Sequence, residues 1–177
     1  MKLTQKDFIS IFEMTLAIVV AGSMFFYGIG KPMQFTNVEI TQKTISQLTG
    51  MEIMWAFYGH SKAYVLVVGF FEILGALLIL APKTRILGCL ITTTILFNVI
   101  LQDVFYEVNF GALIAAIIYQ TCVIIILFIN KNIIINTLKH FFMEVMNIPK
   151  NKNWIINVFL ACLGAVALKA LEAYFTH

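Results

Sequence analysis

Residues 65–80 read VLVVGFFEILGALLIL, a run with one carboxylate, Glu72, at its centre and otherwise too apolar for water. A charge at that depth in a bilayer costs roughly 2.5–3.5 kcal/mol on insertion scales. Such a group therefore faces a protein interior, and the run reads as one helix of a membrane protein with a polar spot inside.

The rest of the chain agrees. Hydrophobic residues make up 60% of it and charged residues 12%, with a mean hydropathy of +0.91. A soluble domain is nearer half apolar and a quarter charged. Five stretches are long enough to span: Phe8 to Ile29, Ala63 to Leu80, Ile86 to Phe105, Gly111 to Ile129 and Trp154 to Tyr174. Each is apolar on most faces, which predicts helices, because only helices and closed barrels satisfy backbone groups in lipid. The first stretch lacks a small-residue cleavage site and reads as a retained span closed by Gly30-Lys31-Pro32.

The basic residues predict an orientation. Lys2, Lys6, Lys83, Arg85, Lys131, Lys139, Lys150 and Lys152 fall on one side if all five stretches cross, and that side is expected to be the cytoplasm. The N-terminus is then cytoplasmic and the C-terminus outside, in a bacterial cytoplasmic (inner) membrane. The expected fold is all-α: a polytopic four-helix transmembrane bundle over residues 1–130, with a loop at 33–62 on its outer face. Residues 131–153 read as a cytoplasmic interfacial helix or linker, and 154–177 as an additional transmembrane helix. The outer loop carries Trp55-Ala56-Phe57-Tyr58-Gly59 and is long for a connector, so a short helix or re-entrant cap is expected there. In 131–146, Ile134, Leu138, Phe141, Phe142 and Val145 share a helical face; a straight extension of the fourth span is the alternative to an interfacial helix.

Thr94, Asn98 and Gln102 recur every four residues, with Tyr106 continuing the stripe, so they share one helix face. Gly69 and Gly75 flank Glu72 at three residues and allow a neighbouring helix to come close. Glu72 lies roughly 15 Å below the outer end of its span at about 1.5 Å per residue. The expected site is an outward-opening polar pocket. Glu72 forms its floor, Asn98 and Gln102 its wall, and Lys31, Asp103, Tyr106 and Glu107 its rim. Trp55, Phe57 and Tyr64 form a lid. The plainer readings are that Asn98 and Gln102 bond between helices, for about 0.6 kcal/mol a contact, and that Trp55 and Tyr58 belong to an interfacial aromatic belt. Glu13, near the start of its span, reads as hydrated from the cytoplasm, and Lys169 with Glu172 as a local pair.

Several chemistries are set aside. The histidines lie at or beyond span ends, away from any haem, and no Cys/His cluster has zinc spacing, so no metal is expected. Cys89, Cys122 and Cys162 read as small buried hydrophobes. There is no phosphate-binding glycine loop, and the basic residues are too scattered for nucleic acid.

The string from Gly69 to Leu78 with Thr84-Arg85 following resembles the Glu-x-x-Gly-Gly-x-Leu-Leu and Thr-Arg signature of the DoxX-like family of small bacterial membrane proteins. Gly28-Ile29-Gly30-Lys31 is similar to the family's Gly-x-x-Lys, and Trp55-Ala56-Phe57-Tyr58-Gly59 to a Trp-x-Phe-x-Gly motif of one branch. Asn98-Val99 with Tyr106-Glu107-Val108 resembles that branch's Asn-Val and Tyr-Asp-Val. Ala76, Glu107 and Asn109 depart from the pattern, and everything from Lys131 onward lies outside it. The resemblance implies a four-helix bundle and an association with quinone-linked or sulfur-redox systems, the name-giving member being a subunit of a thiosulfate:quinone oxidoreductase. Two functions follow as expectations. One is a redox-associated subunit that binds a quinone, or another lipophilic small molecule, in the pocket. The other is a non-catalytic membrane assembly protein whose loop docks a partner. A transporter is less favoured, since no inverted repeat or broken span shows.

Overall fold

In the computed structural model, residues 4–35, 43–146 and 153–176 are described, and every regular element among them is helical. The helices are α1 (Gln5–Gln34), α2 (Gly50–His60), α3 (Lys62–Leu80), α4 (Arg85–Tyr106), α5 (Phe110–Ile129), α6 (Lys131–Met146) and α7 (Trp154–Thr176), with one 3-10 turn at Ile45–Gln47. Five of them, α1, α3, α4, α5 and α7, are long and apolar enough to cross a membrane. The chain divides into two compact units, residues 1–132 and 133–177.

Local chemistry sets the boundaries. Thr4 and Asp7 form a capping box at the start of α1, and Thr49 with Glu52 does the same for α2. Ser61 caps α3, and Asn109 caps α5 by accepting from the Ala112 N–H at 2.9 Å. Pro82 ends the run of α3, and Thr84 turns back to donate to the Leu78 carbonyl at 3.0 Å. α1 runs past the expected stop at Gly30-Lys31-Pro32, reaching Gln34 with Pro32 inside it. Pro32 has no N–H to give the carbonyl four residues earlier, that of Gly28, so it costs the preceding turn one backbone hydrogen bond without ending the helix. Residues 36–42, in the middle of the expected outer loop, lie outside the described residues.

Within the first unit α1 packs on α3 and α5, and α4 packs on α3 and α5, while α2 lies against α3 and α4. Small residues let the helices close up: Ala17, Ala21, Ala76, Cys89 and Ala116 sit in the core with Val20 and Ile79. α1 crosses α3 closely, and a Cβ on Gly28 would stand 2.7 Å from the Gly69 carbonyl oxygen. At Gly69 a Cβ would meet the Lys31 side-chain stem at 3.2 Å, so the glycine makes the room along which that lysine runs.

Burial is inverted relative to a water-soluble protein. Large apolar side chains such as Phe26, Phe70, Phe105 and Phe110 are exposed on the outside, whereas Glu72, Arg85, Thr92 and Asp103 are buried. An exposed apolar surface of that extent requires an apolar solvent. In the second unit, the described residues 153–175 of α7 are exposed throughout, and Lys169 pairs with Glu172 at 2.6 Å as the three-residue spacing leads one to expect.

Candidate functional site

At the end of the first unit that carries α2, a cavity of about 660 Å³ opens between α1, α2, α3, α4 and the start of α5. Its size falls in the usual range of small-molecule pockets. Five expected residues sit in its wall beside Lys31: Trp55, Tyr64, Asn98, Gln102 and Asp103.

Lys31 stands in the last turn of α1 and its side chain runs down the groove left by Gly69. There Nζ lies 3.2 Å from Glu72 Oε1 and also donates to Gln34 Oε1 at 3.4 Å. The Lys31 side chain keeps 12% exposure and lines the cavity, whereas Glu72 keeps 2% and stands behind it. Glu72 therefore meets the cavity through the lysine rather than as its bare floor. Its second oxygen, Oε2, has no hydrogen-bond partner.

The wall on α4 follows the four-residue stripe. Thr94, Asn98 and Gln102 all line the cavity, Gln102 Nε2 donates to Asn98 Oδ1, and the Tyr58 hydroxyl donates to Gln102 Oε1 at 3.0 Å. Burial pushes the Tyr58 hydroxyl above the ordinary phenol range, and the Gln102 bond opposes that shift. Tyr106 and Glu107 lie outside the lining. Tyr106 is the last residue of α4, where Gly50 at the start of α2 sits against its backbone, and Glu107 takes a left-handed conformation at φ 50° beyond it.

Opposite this wall is an aromatic group. Phe35 stacks on Tyr58 with centroids 4.7 Å apart and meets Trp55 edge-on at 5.1 Å, while Tyr58 stacks on Tyr64 at 5.8 Å. The sequence did not single out Phe35, Met51 or Met54, and Tyr58 read only as part of an aromatic belt, although 51, 54, 55 and 58 share one face of α2 by helical spacing. α2 is seated by Gly50, where any Cβ would collide with the Tyr106 backbone carbonyl.

A second polar cluster lies away from the cavity and corrects two expectations. Arg85 is 6% exposed rather than a loop cation, donating from Nε to the Ile79 carbonyl at 3.0 Å and from Nη1 to Glu13 at 2.7 Å. Glu13, expected to hydrate, also accepts from Asn130 Nδ2 at 3.0 Å. The cluster ties α1, α4 and the end of α5 together, and its bonds are already made. Among the described residues no group of three His, Cys, Asp or Glu is placed to hold a metal.

Five helices of spanning length, apolar faces outward and charged groups inward define an all-helical membrane protein, here with a polar- and aromatic-walled cavity at one end. The chain is 32% identical over 113 residues to the uncharacterized protein YwoB of Bacillus subtilis (strain 168), an alignment covering 63% of this chain and 73% of that protein. It belongs to the same family as YwoB. No protein-family model matches the chain, and no solved structure matches it.

Proposed function

We propose that this chain is a multi-pass protein of the bacterial cytoplasmic membrane that binds a quinone-like or other lipophilic small molecule in the cavity beside α2, as a redox-associated subunit. In this reading α1, α3, α4 and α5 form a four-helix transmembrane bundle of the DoxX-like kind, and α7 is an added fifth span. The excess of lysine and arginine at the opposite end from α2 supports a cytoplasmic N-terminus and a cavity that opens outward.

The observation that carries the reading is the lining itself. Aromatic rings from α2 and α3 face amides on α4 across about 660 Å³, with a lysine held at one edge by a buried carboxylate. Such a site suits a flat apolar ring that bears a few polar atoms. Lys31 and the Asn98–Gln102 pair offer donors to ring oxygens, and Trp55 and Tyr64 offer apolar contact. The test is titration of a decyl-tailed benzoquinone into protein in zwitterionic nanodiscs, read by quenching of Trp55 in a Trp154→Phe background. Saturable quenching is expected, with Gln102→Leu weakening it about tenfold, in keeping with loss of a hydrogen bond at a desolvated site. Quenching no greater than lipid partitioning predicts would refute the proposal and leave the assembly-protein reading. That alternative is tested by replacing residues 43–60 and looking for a partner that no longer co-purifies.

A further inference from the structure

Asp103 is 7% exposed, lines the cavity from the last turn of α4, and its Oδ2 has no hydrogen-bond partner. The backbone N–H of Asn109 serves the carboxyl group from the turn into α5. The Lys31, Asn98 and Gln102 side chains of the same wall each have a partner within the protein. Lys31, the second charged residue there, is held by Glu72 at 3.2 Å and Gln34 at 3.4 Å, and the Asn98 and Gln102 amides bond each other and Tyr58. With Lys31 and Glu72 neutralising one another, Asp103 is the unbalanced charge of the cavity wall. A carboxylate oxygen left without a donor in a largely apolar wall is costly.

We infer that the occupant of this cavity presents an N–H or O–H donor to Asp103 from a lipophilic body, and that heads carrying acceptors alone bind less well. The inference rests on the cavity being a small-molecule site and goes on to name the polar end of that molecule. Two sources share the chemistry: the hydroxyl of a reduced ring, as in a hydroquinone, and the ammonium of an amphiphilic amine. Between the members of a quinone couple, the reduced one is then preferred, because it alone brings a proton to the carboxylate.

Two probe pairs isolate the donor while holding charge constant. A decyl-tailed hydroquinone is compared with its quinone, and decylammonium with decyltrimethylammonium. All four are titrated anaerobically into the protein in zwitterionic nanodiscs, with empty nanodiscs as the blank. The expected result is at least about tenfold tighter binding of the donor-bearing member in one pair, the gain typical of a hydrogen bond to a charged group. Which pair shows it identifies the source. Asp103→Asn and Asp103→Ser should reduce that ratio to within about twofold while leaving the acceptor-only member bound. Equal binding within both pairs in the wild type, or a preference that survives both substitutions, overturns the assignment of Asp103 and leaves the cavity a ligand site. The wild-type comparison does this even if the variants do not fold. If no probe binds beyond the blank, the cavity reading falls and this inference with it.

Discussion

Removing Lys31 should cost more stability than removing Glu72, although Glu72 is the more deeply buried partner. Lys31→Met leaves the carboxylate with neither oxygen partnered, since Oε2 already lacks a donor and Oε1 loses the one at 3.2 Å. At 2% exposure it has no water to turn to. Stranding one member of a buried pair costs about 3–5 kcal/mol, and insertion scales for a lone charge give roughly 2.5–3.5 kcal/mol, so about 3 kcal/mol is expected. Glu72→Gln instead leaves a lysine with 12% exposure, lining a cavity and already near Gln34 Oε1 at 3.4 Å. The amide also keeps an acceptor in place, and the loss should be about 1 kcal/mol. A gap of about 2 kcal/mol is roughly 30-fold in the folding equilibrium. Reversible unfolding by titration with a denaturing detergent measures it, and the double variant should be more stable than Lys31→Met alone, because the stranded charge is gone. Equal costs for the two single variants, or strictly additive effects in the double, would refute the account of Glu72 as a buried carboxyl group partnered by Lys31.

The remaining expectations follow from other contacts. Arg85→Lys should lose about 1–2 kcal/mol, because one ammonium cannot serve both the Ile79 carbonyl and Glu13 as the guanidinium does; unfolding indistinguishable from wild type would contradict the clamp. Gly50→Ala should destabilise the protein by about 1–3 kcal/mol and shift the emission of Trp55 in a Trp154→Phe background, since the added Cβ runs into the Tyr106 backbone; unchanged emission and stability would place α2 elsewhere. Lys43 at 2.8 Å, with the Thr49 cap, brings the Glu52 carboxyl down to about 2 from 4.5. A carboxylate depressed in the folded state contributes fully above its unfolded value and loses that contribution as pH falls. The start of α2 should thus hold from neutral pH to about 4.5 and loosen from there through about 2. Trp55 emission in the same background reports it, and loosening already near pH 6 would exclude Glu52 as the cause.

The apolar runs, their helical nature and most of their ends were legible along the chain. Hydropathy summed over some twenty residues decides whether a segment is stable in lipid, and caps such as Thr49 with Glu52 or Asn109 are written within four residues. The stripe of Thr94, Asn98 and Gln102 was legible for the same reason, because spacing on one helix is a local property. Legibility ended where another helix arrives: the stripe promised Tyr106, but it lies outside the cavity lining, at the last turn of α4 where Gly50 of α2 sits against its backbone.

Sequence alone therefore determined that this chain is a set of apolar helices with acidic and amide groups placed inside them. Only the tertiary structure decided which of those groups meet. Glu13 and Arg85 are 72 residues apart, and nothing in either neighbourhood signals the other. Tyr58 and Gln102 are 44 apart and find each other only because Gly50 lets α2 settle on the end of α4. Rotation about each helix axis and the closeness of each crossing are set by packing between segments distant in sequence. That packing separates Glu13, whose Oε1 accepts from both Arg85 and Asn130, from Asp103, which is left with an oxygen unpaired at the wall of a cavity.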